Sequence, residues 1–254
     1  MQPVIVWPVH DPEGHIFSHL ERIAPLLRTL FGRVFLGITS PTREAHPRHI
    51  RRLEADDFFA VTFSPAGALI GDQFLALYTS AAAACAPGQI LHLCFIDRVA
   101  FILQSQHQHA FVADVRAVTD QNTPLLFQRS EAAWATHPRT YREIEHMATR
   151  VGELLLGESL DFTWCHLAVQ ARQLLPILPH IKRRDLSMLA EILLMFRGEI
   201  HTRDVDWLAW EDPFMCARDA AQLKQEREQS IEETQKRLSY VVPTLQLLAG
   251  SVED

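Results

Sequence analysis

Two carboxylates in this sequence occupy positions where a carboxylate can take part in chemistry, and the first is Asp97. Together with Arg98 it follows directly on the apolar run 90–96. Ligands of open α/β sheets bind beyond the carboxyl ends of the strands, so an aspartate placed there would face a ligand. Its oxygens suit Mg²⁺ or Mn²⁺, and such a metal would neutralise a departing diphosphate. The alternative is that Asp97 pairs with a nearby arginine or caps the next helix.

The second carboxylate is Glu191, the only charged residue in the stretch 186–196. Apolar residues surround this predicted helix on all sides, a pattern typical of a mostly buried helix. Burial raises the pKa of a carboxyl group towards that of a usable general base. The alternative is a core ion pair with Arg172, Arg183 or Arg197.

A third feature combines two tryptophans with two acidic residues in the segment 207–213. Trp210 is followed directly by Glu211, and Pro213 closes the segment. Indole faces stack on sugars or bases while carboxylates accept hydrogen bonds from hydroxyl groups, as in pockets for polar ligands. The alternative is a pair of buried tryptophans before a turn that ends at the proline.

Several classes of protein are excluded by what the sequence lacks. There is no glycine-rich loop of the P-loop or dinucleotide-binding type, and no G-x-S-x-G segment. The formal charge of −7 over 254 residues disfavours a nucleic-acid partner. The four cysteines form no Cys-x-x-Cys pair and fit a reducing cytoplasm. The uncharged stretch 73–96 is broken by Pro87-Gly88 into a helix and a strand, so no transmembrane segment is predicted.

Short β-rich runs predict an open, mostly parallel sheet flanked by helices. Starts of successive runs lie roughly 25–30 residues apart, about the length of a βαβ unit. Because the runs are continuously apolar, both faces of the sheet are expected to be covered. The predicted strands are Val4–Val9, Val34–Thr39, Phe58–Phe63, Ile90–Ile96, Phe111–Val118 and a late strand, Glu199–Trp207.

The spacing of apolar residues and capping patterns predicts the helices. The first has Ser18 and Glu21 as a capping box and stops at Gly32, and another opens with Thr140-x-x-Glu143 and stops at Gly157. Two further helices are predicted over 167–178 and, with Asp185 as its cap, over 186–196.

The composition changes after residue 215. Residues 218–237 are dense in Lys, Arg, Glu and Gln, which indicates a solvated helix or one that leans on a partner. The chain is therefore divided into one α/β domain, residues 1–215, and a charged helical tail, residues 216–254. Homo-oligomerisation through this C-terminal helix is a hypothesis that follows from its composition.

In their order along the chain, these segments resemble the GT-A glycosyltransferases, and more narrowly a bacterial group of glycosyltransferase-like proteins. The resemblance covers about Val4 to Pro213, with Glu145 at the group's offset of eight residues beyond the histidine of the third motif. The motifs that carry it are Phe95-Ile96-Asp97-Arg98, Phe127-Gln128-Arg129-Ser130, Thr136-His137-Pro138, Ala190-Glu191-Ile192 and Trp210-Glu211.

The resemblance implies a GT-A-like domain that binds a nucleoside-diphosphate sugar across the carboxyl edge of its sheet. Asp97, directly or through Mg²⁺ or Mn²⁺, would meet the diphosphate and ribose, and Arg98 or Arg129 would add positive charge. Glu191 would take the proton of an acceptor hydroxyl, from a glycan or a small molecule. The remaining residues expected to bind donor or acceptor are His137, Glu145, Trp210 and Glu211.

The sequence also departs from the motifs of that group. Phe95 replaces the first aspartate of the metal-binding pair, so a single carboxylate remains there. Gln128 and Ile192 replace a glycine and a tryptophan of two other motifs. These departures motivate a second hypothesis, a non-catalytic homologue that binds a nucleotide, a sugar or another protein chain.

Overall fold

A computed structural model describes residues 1–251 and shows an α/β fold built on one seven-stranded sheet. The strands are β1 (Val4–Val9), β2 (Arg33–Ile38), β3 (Phe59–Phe63), β4 (Ile90–Cys94), β5 (Leu125–Arg129), β6 (His166–Gln170) and β7 (His201–Val205). They lie side by side in the order β3-β2-β1-β4-β6-β5-β7. All neighbouring strands are parallel except that β6 is antiparallel to both β4 and β5. The prediction of a mostly parallel open sheet is confirmed.

Helices connect the strands and continue beyond the last one. They are α1 (His15–Leu30), α2 (Ser40–Ala45), α3 (Pro47–Glu54), α4 (Ile70–Ala84), α5 (Ile96–Leu103), α6 (Gln108–Ala117), α7 (Glu131–Thr136), α8 (Arg139–Leu156), α9 (Ala171–Ile177), α10 (Met188–Met195), α11 (Asp212–Met215), α12 (Ala220–Gln229) and α13 (Ile231–Gly250). Short 3₁₀ turns lie at Leu178–His180 and Asp206–Leu208. No helix within residues 1–251 combines the length and apolar composition needed to cross a bilayer.

The core covers both faces of the sheet. In β1, Ile5 and Trp7 pack into the cluster on the side of α1 and α5, whereas Val4 and Val6 pack into the cluster on the side of α4 and α10. All four side chains are buried. A parallel strand covered on both faces has no polar side, which explains its continuous apolar sequence.

The prediction of a strand at 111–118 is wrong, because residues 111–117 belong to α6 and Val118 follows its end. Phe111 and Val115 are its buried residues, four positions apart, and the intervening Asp114 bonds to Trp207 and Arg203 outside the helix. The period is therefore that of a helix with one buried face. The fifth strand along the chain is Leu125–Arg129 instead.

The predicted helix over 167–178 is half wrong. Its first part is β6, whose five residues are all buried between β4 and β5. A short strand buried on both faces has the same apolar run as a buried helix, so periodicity does not separate the two. The helix α9 begins only at Ala171, where Gln170 and Gln173 cap each other's backbone.

Two predicted helix starts are displaced, and one predicted stop is confirmed. Helix α1 begins at His15, where the carboxylate of Asp11 accepts hydrogen bonds from the backbone N–H of Gly14 and Ile16. The proposed Ser18 cap therefore lies inside the helix. Helix α8 begins at Arg139, one residue before the proposed cap, and ends at Gly157, whose φ of 75° is left-handed as a glycine stop requires.

Helix α13 lies along α8, and the two helices run in the same direction. The Tyr141 hydroxyl bonds to Glu233 at 2.6 Å, and one turn further Arg237 bonds to Glu145 at 2.9 Å. Val241 of α13 is buried in the core cluster. The charged face of the tail thus contacts the α/β domain of its own chain.

Candidate functional site

Two adjoining cavities open at the edge of the sheet where β1 and β4 end. The first has a volume of about 330 Å³ and lies between the loop after β1 and the start of α4. The second has a volume of about 340 Å³ and reaches from the end of β4 to α13. Four residues line both cavities, namely Ile70, Phe95, Asp97 and Asp212. The two cavities therefore meet around Asp97.

Asp97 lies in the first turn of α5, directly after the end of β4. Its Oδ1 accepts a hydrogen bond from the backbone N–H of Arg98 at 2.8 Å. Burial raises the pKa of Asp97 above its ordinary value, although the charge of Arg98 opposes the shift. The position at the carboxyl edge agrees with the expectation from the sequence, since Asp97 faces open space on two sides.

The side chain of Glu211 contacts Arg98 in the wall of the second cavity. The two form an ion pair, and Arg98 also donates a hydrogen bond to the Ala209 carbonyl at 3.0 Å. Burial raises the pKa of Glu211 to about 8, against the opposing charge of Arg98 and with the carboxylates of Asp97 and Asp212 adding to the rise. Glu211 is consequently a carboxyl group that exchanges its proton close to neutral pH.

Arg129 stands at the end of β5 with every side of its guanidinium occupied. It donates two hydrogen bonds of 2.8 Å to Asp161 and one to Glu145, and it stacks 3.6 Å above the centre of the Trp134 ring. Arg237 of α13 bonds to the other oxygen of Glu145. Burial of Glu145 is outweighed by its two arginines, so its pKa lies below the ordinary value. Arg129, Glu145 and Arg237 of this cluster line the second cavity.

His137 and Trp210 lie behind the cavities and line neither of the two. Nδ1 of His137 lies 3.0 Å from the Ala133 carbonyl, and its Nε2 lies 3.5 Å from Arg98. Burial, together with the charge of Arg98, lowers the pKa of His137 well below its ordinary value, so its ring is neutral. Trp210 is buried, and its backbone N–H bonds to Thr136 at 2.8 Å. His137 thus contacts Arg98, and the bond to Thr136 fixes the backbone directly before Glu211.

The structure does not place Glu191 in the lining of either cavity. Its carboxylate accepts hydrogen bonds from the backbone N–H of Lys182 and Arg183, at 2.9 and 2.8 Å. The side chain of Glu191 is half-buried, with the backbone of residues 182–183 lying against its carboxylate. The carboxylate of Glu191 is thus held by backbone amides, and not by the side chain of any of the three arginines considered from the sequence.

The first cavity has apolar walls with a few polar groups at its edge. Phe74 and Phe95 lie with their ring centres 6.0 Å apart and form part of the wall. Its polar side chains are those of Asp97 and Asp212, which it shares with the second cavity, and those of His10, Asp11, His15 and Gln73. Planar aromatic rings with hydrogen-bonding edges fit such a pocket.

Sequence reasoning missed the contribution of α13 to the second cavity. Lys236, Arg237 and Tyr240 line it, and Asp212 joins both cavities. Asp212 was recognisable as part of the acidic segment next to Trp210. The contribution of Arg237 could not be recognised from the sequence. Its partner Glu145 is distant along the chain, and a helix rich in charged residues looks the same in sequence whether it faces solvent or packs on the domain.

The side chains present do not form a complete site for a divalent cation. Asp97 offers one carboxylate, and Phe95 offers no ligand where a second would be expected. Within residues 1–251, no group of three or more His, Cys, Asp or Glu side chains is arranged to hold a metal ion.

Comparison of the chain with protein-family models, curated proteins and solved structures finds no match. The interpretation of the site therefore depends on the geometry of this chain.

Proposed function

We propose that this protein is a glycosyltransferase that moves a sugar from a nucleoside-diphosphate sugar to an acceptor hydroxyl. One observation carries the proposal. Asp97, at the carboxyl end of β4, lines two adjoining cavities of different character. The first suits a planar base, and the second is lined by ionisable side chains next to it. A nucleoside-diphosphate sugar has a planar base at one end and a polar sugar at the other, so it needs neighbouring sites of these two kinds.

The donor would lie across the end of β4. Its base would enter the cavity of Phe74 and Phe95, and Asp97 would contact the ribose or the diphosphate. The sugar and the acceptor would occupy the second cavity, beside Glu211. The resemblance of the sequence to GT-A glycosyltransferases supports this arrangement, as does the open α/β sheet with its site at the carboxyl edge.

Glu211 is assigned the role of base in place of Glu191. The acceptor oxygen attacks the anomeric carbon, the bond from that carbon to the diphosphate breaks, and the acceptor proton passes to the carboxylate of Glu211. The leaving diphosphate carries the electron pair of the broken bond. Glu211 is suited to this step because it lines the second cavity and its pKa of about 8 lies near the working pH.

Mg²⁺ or Mn²⁺ stays a prediction from the resemblance, and no step is assigned to it because the described side chains offer an incomplete ligand set. A cytoplasmic location is likewise proposed, since a reducing compartment suits the four free cysteines. Homo-oligomerisation through α13 is proposed from its partly exposed Leu238 and Val242. Light scattering of the purified chain tests the last proposal.

The second candidate is a non-catalytic binding protein of the same architecture. It is favoured by the state of the arginines at the site, because Arg98 and Arg129 are both engaged by carboxylates. Neither is free to neutralise a leaving diphosphate unless its ion pair opens. A binding protein has no need for such neutralisation.

A thermal-shift assay with UDP-, GDP-, ADP-, CDP- and dTDP-sugars, each with and without Mn²⁺, tests the proposal. A ligand of the native state raises the melting temperature by mass action. We expect one nucleotide class to stabilise the wild type and Asp57→Asn, an exposed control, but not Asp97→Asn. Release of nucleoside diphosphate in the presence of that donor distinguishes the enzyme from the binding protein. Silence of the wild type across the panel contradicts the transferase and favours a non-catalytic homologue that binds another protein chain.

A further inference from the structure

One face of helix α13 forms a side of the second cavity. The residues of this face are spaced as neighbours on one side of a helix, and they are Lys236, Arg237, Tyr240, Val241 and Thr244. Val241 and Thr244 are buried, whereas Lys236 is exposed. The ammonium group of Lys236 is therefore carried at the side of the cavity that opens to solvent.

Most charged side chains that line this cavity are engaged in ion pairs. These pairs are Arg98–Glu211, Arg129–Glu145, Arg237–Glu145 and, with a partner outside the lining, Asp212–Arg227. Lys236 and Asp97 also line the cavity, and neither forms an ion pair within residues 1–251. Asp97 lies at the end of β4, and Lys236 lies on α13. Two unpaired charges of opposite sign thus belong to different walls of one cavity.

The acidic residues one turn before Lys236 on its own helix are not bonded to it. Glu233 accepts a hydrogen bond from the Tyr141 hydroxyl at 2.6 Å and pairs with Arg227. Glu232 is exposed, and in the part of the chain that the structure describes it forms no ion pair with Lys236. The ammonium group of Lys236 is consequently able to bind an anion without first breaking an ion pair.

The backbone that carries Lys236 is fixed on both sides of this residue. Glu233 and Arg237 bond to Tyr141 and Glu145 of α8. One turn beyond, Val241 is buried in the core. Lys236 is therefore presented to the cavity from an anchored helix, although the composition of that helix is typical of a solvated one.

We propose that the acceptor of the sugar is an anion and that Lys236 binds its negatively charged group. The inference rests on the proposed function, in which the donor lies at Asp97 and the acceptor hydroxyl meets Glu211. Since Lys236 lines only the second cavity, it belongs to the acceptor's part of the site. A hydroxyl group that reaches Glu211 leaves the other end of the acceptor towards α13. A charge placed there selects acceptors of the opposite sign.

The remaining lining describes the body of this acceptor. Apolar and aromatic side chains line the same cavity, namely Phe162, Trp164, Leu186, Leu189 and Tyr240. Tyr240 is half-buried and lies one turn after Lys236, so its ring is next to the proposed anion site. Such walls pack against a sugar ring or another apolar surface. The acceptor class is therefore a hydroxyl compound with an apolar or ring-shaped body and a carboxylate or phosphate group.

Calorimetric titration of the full chain with charged probes and their neutral counterparts tests the proposal. The probes are glucuronate and glucose 6-phosphate, each compared with glucose, and 4-hydroxyphenylacetate, compared with its amide. We expect at least one anionic probe to bind the wild type more tightly than its neutral counterpart, and the carboxylate and phosphate arms identify the preferred group. Lys236→Gln should weaken that binding by about tenfold or more, and Lys236→Arg should retain it.

A matched control and a second measurement make the result specific. Lys182 is also exposed but lines neither cavity, so Lys182→Gln should bind the anionic probe as the wild type does. The nucleoside diphosphate that stabilises the wild type should stabilise Lys236→Gln equally in a thermal-shift assay.

The proposal is overturned if no anionic probe binds the wild type, or if Lys236→Gln binds the probe as tightly as the wild type does. It is also overturned if Lys236→Gln loses its stabilisation by the nucleotide, because Lys236 would then contact the donor. In each of these cases the proposed function stands as long as the nucleotide stabilises the wild type. Anion binding at Lys236 in a chain that no nucleotide stabilises would contradict the proposed function and leave an anion site without an acceptor role.

Discussion

Arg98 and Glu211 form an almost fully buried ion pair that connects the end of β4 to the turn after β7, beside Asp97. Three carboxylates, those of Asp97, Glu211 and Asp212, influence one another here, and Arg98 is paired with one of them. Burial and this crowding of negative charge raise the pKa of Glu211 to about 8, against the charge of Arg98, so the contact with Arg98 becomes a full ion pair as the pH rises through that value. The pair therefore sets the pH range in which the candidate site changes its charge.

The first prediction concerns the pH dependence of turnover. Only the ionised form of Glu211 accepts a proton, so turnover of the wild type should rise as the pH increases through about 8. Glu211→Gln should remove this rise and lower turnover by roughly 10²-fold or more while donor binding persists. Steady-state kinetics across pH measure both effects. An unchanged pH profile in Glu211→Gln would exclude Glu211 as the base.

The same shift has a consequence for stability. A pKa raised above its unfolded value means that the folded state binds the proton more tightly, so protonation favours folding. The contribution is complete below the ordinary pKa of glutamate and is lost as the pH rises towards about 8. Urea unfolding at several pH values should show this loss in the wild type and a smaller slope in Glu211→Gln.

The second prediction concerns the wall of the second cavity. Arg129→Met should lower the free energy of unfolding by about 3–5 kcal/mol, because it leaves the buried carboxylate of Asp161 without its arginine and that of Glu145 with Arg237 alone. Arg139→Met breaks an exposed pair with Glu143 and should cost about 0–1 kcal/mol. Urea unfolding measures both. Equal losses in the two variants would show that the cluster contributes no more than a surface pair.

The third prediction tests the packing of α8. A Cβ atom on Gly152 would lie 2.1 Å from the ring of Phe162, which lines the second cavity. Gly152→Ala should therefore cost about 1–3 kcal/mol of stability through overpacking. Gly250→Ala, where the added atom meets open space, should cost nothing. Thermal unfolding of the two variants distinguishes this packing from a general effect of removing glycine.

The fourth prediction separates Glu191 from the chemistry. Glu191→Gln keeps the shape of the side chain but weakens its hydrogen bonds to the backbone of Lys182 and Arg183. Unfolding should become easier by about 1–2 kcal/mol, with kcat unchanged at a temperature where the variant is folded. A large fall in kcat in the fully folded variant would return Glu191 to the mechanism.

Local chemistry predicted part of this fold. Continuous apolar runs identified β1, β2 and β4, and glycine identified the end of α8 at Gly157. Residues 111–118 and β6 were misassigned, because a short apolar run has the same appearance in a buried strand and in a buried helix face. Which of the two structures forms depends on the neighbours that the segment packs against in the folded chain.

The candidate site was predictable to a similar extent. Asp97 and Glu211 follow from their places in short motifs, because a strand end and a Trp-Glu turn are local features. The surroundings of Glu191 could not be predicted, since the sequence shows that a carboxylate lies among apolar residues but not which backbone amides it meets. The role of Arg237 could not be predicted either, because its pairing with Glu145 depends on how α13 lies along α8.

The most direct measurement is a crystal structure of the chain soaked or co-crystallised with the nucleoside diphosphate that stabilises it most. The account predicts difference density for the base between Phe74 and the loop after β1, with the ribose or diphosphate in contact with Asp97. Density for the nucleotide at any other place on the molecule, with the end of β4 left empty, would contradict it.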